Sequence, residues 1–320
     1  MYHRLARSIV YFGIVIGLLS ALGNFLTTFE VYAHLQPWVV FLLTVFVMIS
    51  LAGRLWISRT ILLIILSYHI YATFPYISFS AAHLSLITDS PSFRVVQFNI
   101  NAANSHWQNI RDRVITTHPD ILVVCEANNN ALLYLRELSD EYPYRIEVGR
   151  WLDTALYDVS GTILWSKYPF IVDKPIILKE GRIQGCYAMV DIDGHPTAIY
   201  ATHLHSPVSD RQISFRDNGL KEITERIQND STKNTFLIGD MNQTLWSSVM
   251  RKLKKETGFQ TVYKGHMFLS SWPSQTYPIG IGIDHIFYRG DMECTKVISG
   301  ASAGSDHRML IADFRFKNFK

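Results

Sequence analysis

The chain has 320 residues, with 30 basic and 27 acidic side chains and three cysteines. This length allows one large domain and a smaller segment, and the charged fraction of 18% is low for a soluble enzyme. The charged residues before residue 89 are four arginines and one glutamate, so the rest of the chain carries 26 basic and 26 acidic side chains. This balance disfavours a non-specific nucleic-acid binder, which normally has a basic footprint.

Three uncharged stretches, roughly 8–29, 37–53 and 60–83, occupy the first part of the chain. A helix needs about 20 residues to cross the hydrocarbon core of a bilayer, and the second stretch lies near the lower limit. A cleaved signal peptide is the alternative for the first stretch, but two more apolar stretches behind it favour a retained anchor. The sequence predicts an anchor of about three transmembrane helices over residues 1–90 and a soluble domain over 91–320.

The arginines predict the orientation of this anchor. Arg4 and Arg7 precede the first stretch and Arg54 and Arg59 separate the second from the third, whereas the loop between the first two carries only Glu30. Positive loops stay in the cytoplasm, so the N-terminus lies inside and the soluble domain outside. With only two spans, the soluble domain would return to the cytoplasm. A transporter is disfavoured because the stretches contain no carboxylate or lysine that would mark an ion path.

Strand and helix signals alternate after Asp89-Ser90-Pro91. Helical spacing of apolar residues predicts helices after a cap at Ser105, around Leu132–Leu138, over Ile213–Ile227 and over Trp246–Leu253. Apolar runs predict strands, two of them joined by an Asp193-Gly194 turn; these are Phe93–Phe98, Ile121–Cys125, Thr162–Trp165, Ala188–Ile192, Thr197–Thr202, Thr235–Ile238, Ile283–Tyr288 and Met309–Phe316. Hairpins mixed with crossover helices predict an α/β architecture with mixed sheets and outer layers of helix.

The three cysteines show no zinc-binding spacing. Cys125 closes a buried apolar run and is expected to be a small core residue. A location outside the cytoplasm would permit a Cys186–Cys294 disulfide.

Seven polar residues lie at the ends of the predicted strands, where a rigid sheet usually holds a functional site. They are Asn99, Glu126, His203, Asp240, Asp284, Asp306 and His307. Any one of them is compatible with a turn or a helix cap. Seven together indicate a site, because acids and imidazoles near a core are costly without partners.

In order and spacing, these residues resemble the endonuclease/exonuclease/phosphatase family, which has the DNase I-like fold. The matching segments are Gln97-Phe98-Asn99, Val124-Cys125-Glu126, Thr202-His203-Leu204, Gly239-Asp240-Met241-Asn242, Ile283-Asp284-His285 and Ser305-Asp306-His307. The resemblance covers about Phe93 to Phe316 and implies a four-layer sandwich of two mixed β-sheets flanked by helices. It is strongest to the membrane-anchored bacterial branch, which implies a multi-pass protein of the inner membrane.

Hydrolysis of an anionic phosphoester needs a divalent cation, an aligned water and a proton for the leaving oxygen. Hard oxygen ligands suit Mg²⁺, with Mn²⁺ as an alternative. The resemblance implies that Glu126 and Asn99 bind the metal, with Asp306 as a further ligand. It implies that Asp240 activates water with help from Asn242, and that His307, held by Asp284, contacts the phosphate. His203 would be the general acid.

Several assignments stay open at this stage. His205 competes with His203, since both point to the same side of a strand, and Arg216 is either a phosphate ligand or a surface residue. Trp246 and Trp272 form either a substrate wall or core, and His285 is expected either to support a residue of the site or to be structural. The substrate is a lipid head group, a small phosphodiester or a nucleic acid, and no protein partner is predicted. A nuclease and an inactive membrane-tethered binding module are the alternatives.

Overall fold

The computed structural model describes residues 2–25, 29–76, 92–149, 161–179 and 183–317. Two compact units are present. The first contains the described part of Met1–Ala82 together with Thr244–Lys252 and Tyr263–Phe268, and the second contains the rest. The expected boundary at Asp89–Pro91 and the last residues of the third predicted span lie outside the described residues.

The described N-terminal part of the first unit contains four α-helices, which are α1 (Tyr2–Leu22), α2 (Glu30–His34), α3 (Gln36–Ala52) and α4 (Trp56–Thr73). Its core is made of aliphatic side chains with Phe46. Gly13 and Gly17 lie one turn apart on α1, and a Cβ at these positions would lie 2.2 Å from the Phe46 ring and 2.5 Å from Ile65. The two glycines therefore allow α1 to pack closely on α3 and α4, as small residues do between membrane helices.

Two segments of this unit, Arg4–Leu22 and Trp56–Tyr76, are long and apolar enough to cross a membrane, and Gln36–Ala52 is a shorter apolar helix. Large apolar side chains cover the outside of the unit. Phe12 is 60% exposed, Trp56 71% and Ile57 80%. Apolar surface of this kind is unfavourable in water.

The remaining helices are α5 (Trp107–Thr117), α6 (Asn129–Leu135), α7 (Asp210–Gln228) and α8 (Ser248–Thr257). The strands are β1 (Ser92–Asn99), β2 (Ile121–Ala127), β3 (Tyr144–Val148), β4 (Gly161–Ser166), β5 (Phe170–Ile177), β6 (Ile183–Ile192), β7 (His195–His203), β8 (Asn234–Asp240), β9 (Gln260–Thr261), β10 (Asp284–Arg289), β11 (Met292–Ser299) and β12 (Leu310–Phe316).

These strands form two sheets of six within the described residues, in the orders β11-β12-β1-β2-β4-β3 and β5-β6-β7-β8-β10-β9. The pairs β1–β2 and β7–β8 are parallel, because a helix crosses over between their strands. The other pairs are antiparallel, including the predicted β6–β7 hairpin. This is the predicted sandwich of mixed sheets flanked by helices, and the fold expectation is confirmed.

Strand β1 shows how the two faces of a central strand differ. Val96 and Phe98 pack into a core shared with α5 and α6, whereas Phe93 meets Phe236 of the other sheet at 6.3 Å between ring centroids. Successive side chains of a strand alternate between faces, so Gln97 and Asn99 share the face of Phe93 and point between the sheets. Both are fully buried.

Some local predictions are wrong. Helix α5 has His106, not Ser105, at its N-cap, with no side-chain capping bond, and α8 begins at Ser248 rather than Trp246. The sequence left a Cys186–Cys294 disulfide open, and in the structure all three cysteines are free thiols. The sequence also missed β3, β5, β9 and β11; β5 is largely exposed, so burial imposes little apolar pattern on it.

Candidate active site

Two buried aspartates form the centre of the candidate site. Asp240 ends β8 and Asp284 begins β10, and the two residues are direct partners in the antiparallel register. Across the sandwich, β1 presents two amides. Asn99 Nδ2 lies 2.9 Å from Asp240 Oδ2, and Gln97 Nε2 lies 2.8 Å from Asp284 Oδ1. Each aspartate therefore receives a hydrogen bond from the opposite sheet.

Glu126, His203 and Asp240 form the group best suited to hold a cation. Their ligand atoms lie within 4.8 Å of one another, and His203 Nε2 is 3.7 Å from Glu126 Oε1 and 3.8 Å from Asp240 Oδ2. Asn99 Nδ2 donates to both Glu126 and Asp240, so in this orientation the amide holds the two carboxylates together. Paired carboxylates with an amide alongside fit Mg²⁺ or Mn²⁺.

A second group shares Asp240 with the first. His307 Nδ1 lies 2.8 Å from Asp284 Oδ2, and His307 Nε2 lies 3.8 Å from Asp240 Oδ2. Burial alone would lower the pKa of His307, but the charge and hydrogen bond of Asp284, followed by the charges of Asp240 and Asp306, raise it to about 10. Burial and then the charge of Asp284 raise the pKa of Asp240 to about 6, against the opposing effect of His307 and His203.

The pKa of Asp284 moves in the opposite direction. Burial would raise it, but the charge of His307 and hydrogen bonds from His307, Ser271 and Gln97 lower it below its ordinary value. At neutral pH the second group therefore contains an ionised Asp284 and a protonated His307. A carboxylate with this geometry fixes one ring nitrogen of the imidazole and leaves the other free to act.

Asp306 lies in neither group. Its Oδ1 accepts a 2.7 Å hydrogen bond from Asn101 Nδ2, and its Oδ2 accepts one of 3.1 Å from the indole Nε1 of Trp272. Both carboxylate oxygens are thus engaged by neutral donors. In this arrangement Asp306 orients the partly exposed ring of Trp272, and the role as a metal ligand stays a prediction.

The backbone is strained at two of the site residues. Glu126 has a φ of 59° and Asn242 one of 48°, in the left-handed region that non-glycine residues seldom adopt. The amide N of Asn242 donates to Asp240 Oδ1, and its side chain donates to the carbonyl of Leu204, both at 2.8 Å. Asn242 thus links the loop after β8 to the loop after β7, and its side-chain amide stabilises the positions of these two loops.

The structure separates the residues that the sequence left open. His203 faces the carboxylates, whereas the ring of His205 lies 5.7 Å from that of Phe215. Trp246 is buried and packs edge-on against Tyr76. His285 is buried with Nε2 2.7 Å from the carbonyl of Gln243. The interpretation of Arg216 as a surface residue is wrong, because its side chain is fully buried beside Asp217.

Other residues that support the site carried little sequence signal. Ser305 Oγ donates to the carbonyl of Asn99 and accepts from the amide of His307, and Ser271 Oγ accepts from the amide of Asp284. Ser305 and Gln97 lie in two of the segments that carry the family resemblance, but the sequence assigned them no role. Serine is common in loops, so neither hydroxyl stands out, whereas Gln97 and Asn99 are polar residues two apart in an otherwise apolar strand, which marks one face.

Comparison with known proteins identifies the family. The family model described as "Endonuclease/Exonuclease/phosphatase family" matches residues 96–307, which is more than half of the chain. No curated protein matches the chain in sequence.

Solved structures share the fold at low sequence identity. The endonuclease/exonuclease/phosphatase from Beutenbergia cavernae superposes with a TM-score of 0.56 at 18% identity, covering 71% of this chain and 72% of that one. Sphingomyelinase C from Streptomyces griseocarneus gives 0.54 at 19% identity, with 72% and 100% covered. The human Nocturnin catalytic domain with bound sulfate gives 0.57 at 17% identity, with 71% and 96% covered. The chain belongs to the endonuclease/exonuclease/phosphatase family.

Proposed function

We propose that this protein is a membrane-anchored, divalent-metal-dependent hydrolase of phosphoesters. The observation that carries the proposal is the pair of groups that share Asp240. One of them contains Glu126, a carboxylate that suits a divalent cation, with His203 and Asp240 beside it, and the other, Asp240–Asp284–His307, contains an oriented imidazole. A complete set of this kind argues against an inactive binding module.

The residues have distinct tasks in this proposal. Glu126 would hold the cation, which would polarise the phosphate and neutralise its charge when bound, and Asn99 keeps the carboxylates of Glu126 and Asp240 together. Asp240 accepts the proton of the attacking water; without the cation, burial and the charge of Asp284 raise its pKa to about 6, above that of an ordinary aspartate. His307, charged and held by Asp284, stabilises the negative charge that develops on the phosphate. His203 protonates the leaving oxygen.

The helices support a location in a membrane. Two of them have the length and hydropathy of a span, and their outward apolar side chains would be covered by lipid rather than by water. Tethering raises the effective concentration of lipid head groups at the site. With the neutral charge balance of the remaining chain, this favours a lipid or small phosphoester over nucleic acid, and the similarity to a sphingomyelinase fold is compatible with it.

Activity of the full-length protein in detergent provides the test. We expect hydrolysis of bis-p-nitrophenyl phosphate with Mg²⁺ or Mn²⁺, abolished by EDTA and restored by excess metal, because EDTA removes the cation from Glu126. A panel of sphingomyelin, inositol phosphates, RNA and plasmid DNA then separates the substrate classes. Activity that EDTA leaves unchanged would exclude the metal mechanism, and inactivity on every phosphoester would favour the binding module.

A further inference from the structure

The two amides of β1 form equivalent hydrogen bonds to the two aspartates. Asn99 belongs to the residue set already described, whereas Gln97, two residues earlier on the same face, has no role in it. Its Nε2 lies 2.8 Å from Asp284 Oδ1, and its side chain is fully buried. The same nitrogen also lies 3.9 Å from Cys125 Sγ, which is a weak acceptor.

The other end of the same amide is unsatisfied. Gln97 Oε1 is buried and has no hydrogen-bond partner among the described residues. A buried polar atom without a partner costs stability, and an apolar side chain of the same length would avoid that cost. Gln97 is therefore a costly residue for the core, and the strong bond that its side chain supplies is the one to Asp284.

That bond completes a chain of contacts. Gln97 donates to Asp284 Oδ1, and Asp284 Oδ2 accepts from His307 Nδ1 at 2.8 Å. His307 Nε2 then faces Asp240. Gln97 and His307 each hold one oxygen, and Ser271 adds a further hydrogen bond, so the carboxylate cannot rotate about its χ2 angle without breaking a bond. Partners of this kind fix the orientation of a catalytic imidazole more firmly than the carboxylate alone.

We propose that Gln97 is a positioning residue, whose side-chain NH2 holds the carboxylate of Asp284 so that Asp284 fixes the imidazole of His307. The role in catalysis rests on the proposed function, but the contact itself does not. Gln97 touches neither Glu126 nor His203 through the bonds described above, so it acts on the imidazole rather than on metal binding.

The kinetic test replaces Gln97 by Met, which keeps the length and removes the donor. We expect kcat to fall by about tenfold to hundredfold, KM and Mn²⁺ affinity to change less than about threefold, and Tm to stay level or rise. Gln243→Met is the matched control. Gln243 is also fully buried, and neither of its side-chain polar atoms has a partner among the described residues. It should retain full activity.

A double-mutant cycle separates positioning from a general structural role. In an Asp284→Ala background, Gln97→Met should cause no further loss of kcat, because the residue through which it acts is gone. An additive loss, a fall in Tm that parallels the fall in activity, or a Gln97→Met variant as active as Gln243→Met would each overturn the proposal.

NMR of the full chain with ¹⁵N-labelled histidine tests the contact without any substrate. The Nδ1 proton of His307, bonded to a carboxylate, should give a strongly downfield signal that shifts or broadens in Gln97→Met and not in Gln243→Met. An unchanged signal, or none in the unmodified protein, would overturn the positioning role. Failure of the proposed hydrolase would instead leave this signal and its response intact.

Discussion

At the scale of single residues, the site is a set of charged side chains that lie close together in a buried place. Asp240 and Asp284 are adjacent in register and buried, and they coexist because His307, His203 and two amides surround them. Burial and the charge of Asp284 raise the pKa of Asp240, whereas the charge and hydrogen bond of His307 lower the pKa of Asp284. Burial and the charge of Asp284, which raise the pKa of Asp240 and make it a better base, also make its ionised form unfavourable for stability.

The first residue-scale prediction concerns stability. The raised pKa of Asp240, about 6 against 3.8, means that the folded state holds this proton more tightly than the unfolded state. Ionisation of Asp240 therefore lowers the free energy of unfolding. This loss grows as pH rises from 3.8 to about 6 and is complete above about 6. Asp240→Asn should then raise Tm in EDTA at pH 8 and have little effect near pH 3.5, while lowering kcat by at least about 100-fold.

Asp193→Asn is the control for this variant, because Asp193 is exposed in the β6–β7 turn. It should change neither Tm nor kcat. A lower Tm for Asp240→Asn at pH 8 in EDTA would contradict the assigned charge repulsion.

The second residue-scale prediction concerns the pH profile. Activity should rise with pH as Asp240 loses its proton, with a midpoint at or below its metal-free pKa of about 6 because a bound cation favours the carboxylate, and decline toward pH 10 as His307 loses its proton. Asp284→Asn removes the largest contribution that raises the pKa of His307, so the alkaline limb should move to lower pH. Measuring kcat/KM from pH 4.5 to 10.5 for both proteins checks this, and an unmoved alkaline limb would show that Asp284 does not control His307.

At the scale of elements, close pairing of β7 with β8 positions the site. Gly239 lies beside Thr202 in the parallel register, one residue before His203 meets Asp240. It has a φ of 148°, and a Cβ there would lie 1.7 Å from the carbonyl oxygen of Thr202. Glycine is therefore required for the strand ends that carry His203 and Asp240 to approach each other.

The element-scale prediction is that Gly239→Ala destabilises the protein by at least about 2 kcal/mol, from overpacking and backbone strain together. Gly258→Ala is the control. It also replaces a glycine of positive φ, 70°, but the new Cβ would meet nothing within 4 Å, so its cost is about 1 kcal/mol. Urea unfolding followed by circular dichroism compares the free energies of unfolding of the two variants. An equal loss in both would contradict the prediction, because it would mean that the new Cβ of Gly239→Ala does not clash with β7.

At the scale of the whole molecule, the proposed membrane anchor determines which compartment contains the site. The helices α1 and α4 have the length and hydropathy of spans, and α3 is shorter. Sidedness depends on whether α3 also crosses, since an odd number of spans sends the remaining chain to the other side of the membrane from the N-terminus. The arginine distribution predicts three crossings.

The whole-molecule prediction is tested with reporter fusions. Alkaline phosphatase fused after Lys320 should be active, since it folds only outside the cytoplasm, and a green fluorescent protein at the same place should be dark. Fusions after Arg54, in the loop predicted to lie inside, provide the control and should give the opposite pattern. Fluorescence at Lys320 would establish a cytoplasmic domain.

The sequence by itself determined the family, the sandwich of mixed sheets and the apolar N-terminal helices, because these depend on the hydrophobic pattern and on residues close in the chain. It also named the residues that the structure brings together in two groups around Asp240. Those positions were readable because acids, an amide and imidazoles at the ends of apolar strands are conspicuous.

Only the tertiary structure decided which side chains touch. The preference for His203 over His205, the burial of Arg216, the engagement of Asp306 by Asn101 and Trp272, and the bond from Gln97 to Asp284 all depend on distances between segments remote in sequence. A hydrophobic pattern reports which way a residue faces, whereas a hydrogen bond depends on what the opposite sheet presents at the same place. That is why Gln97 was visible as part of a motif and acquired a role only beside Asp284.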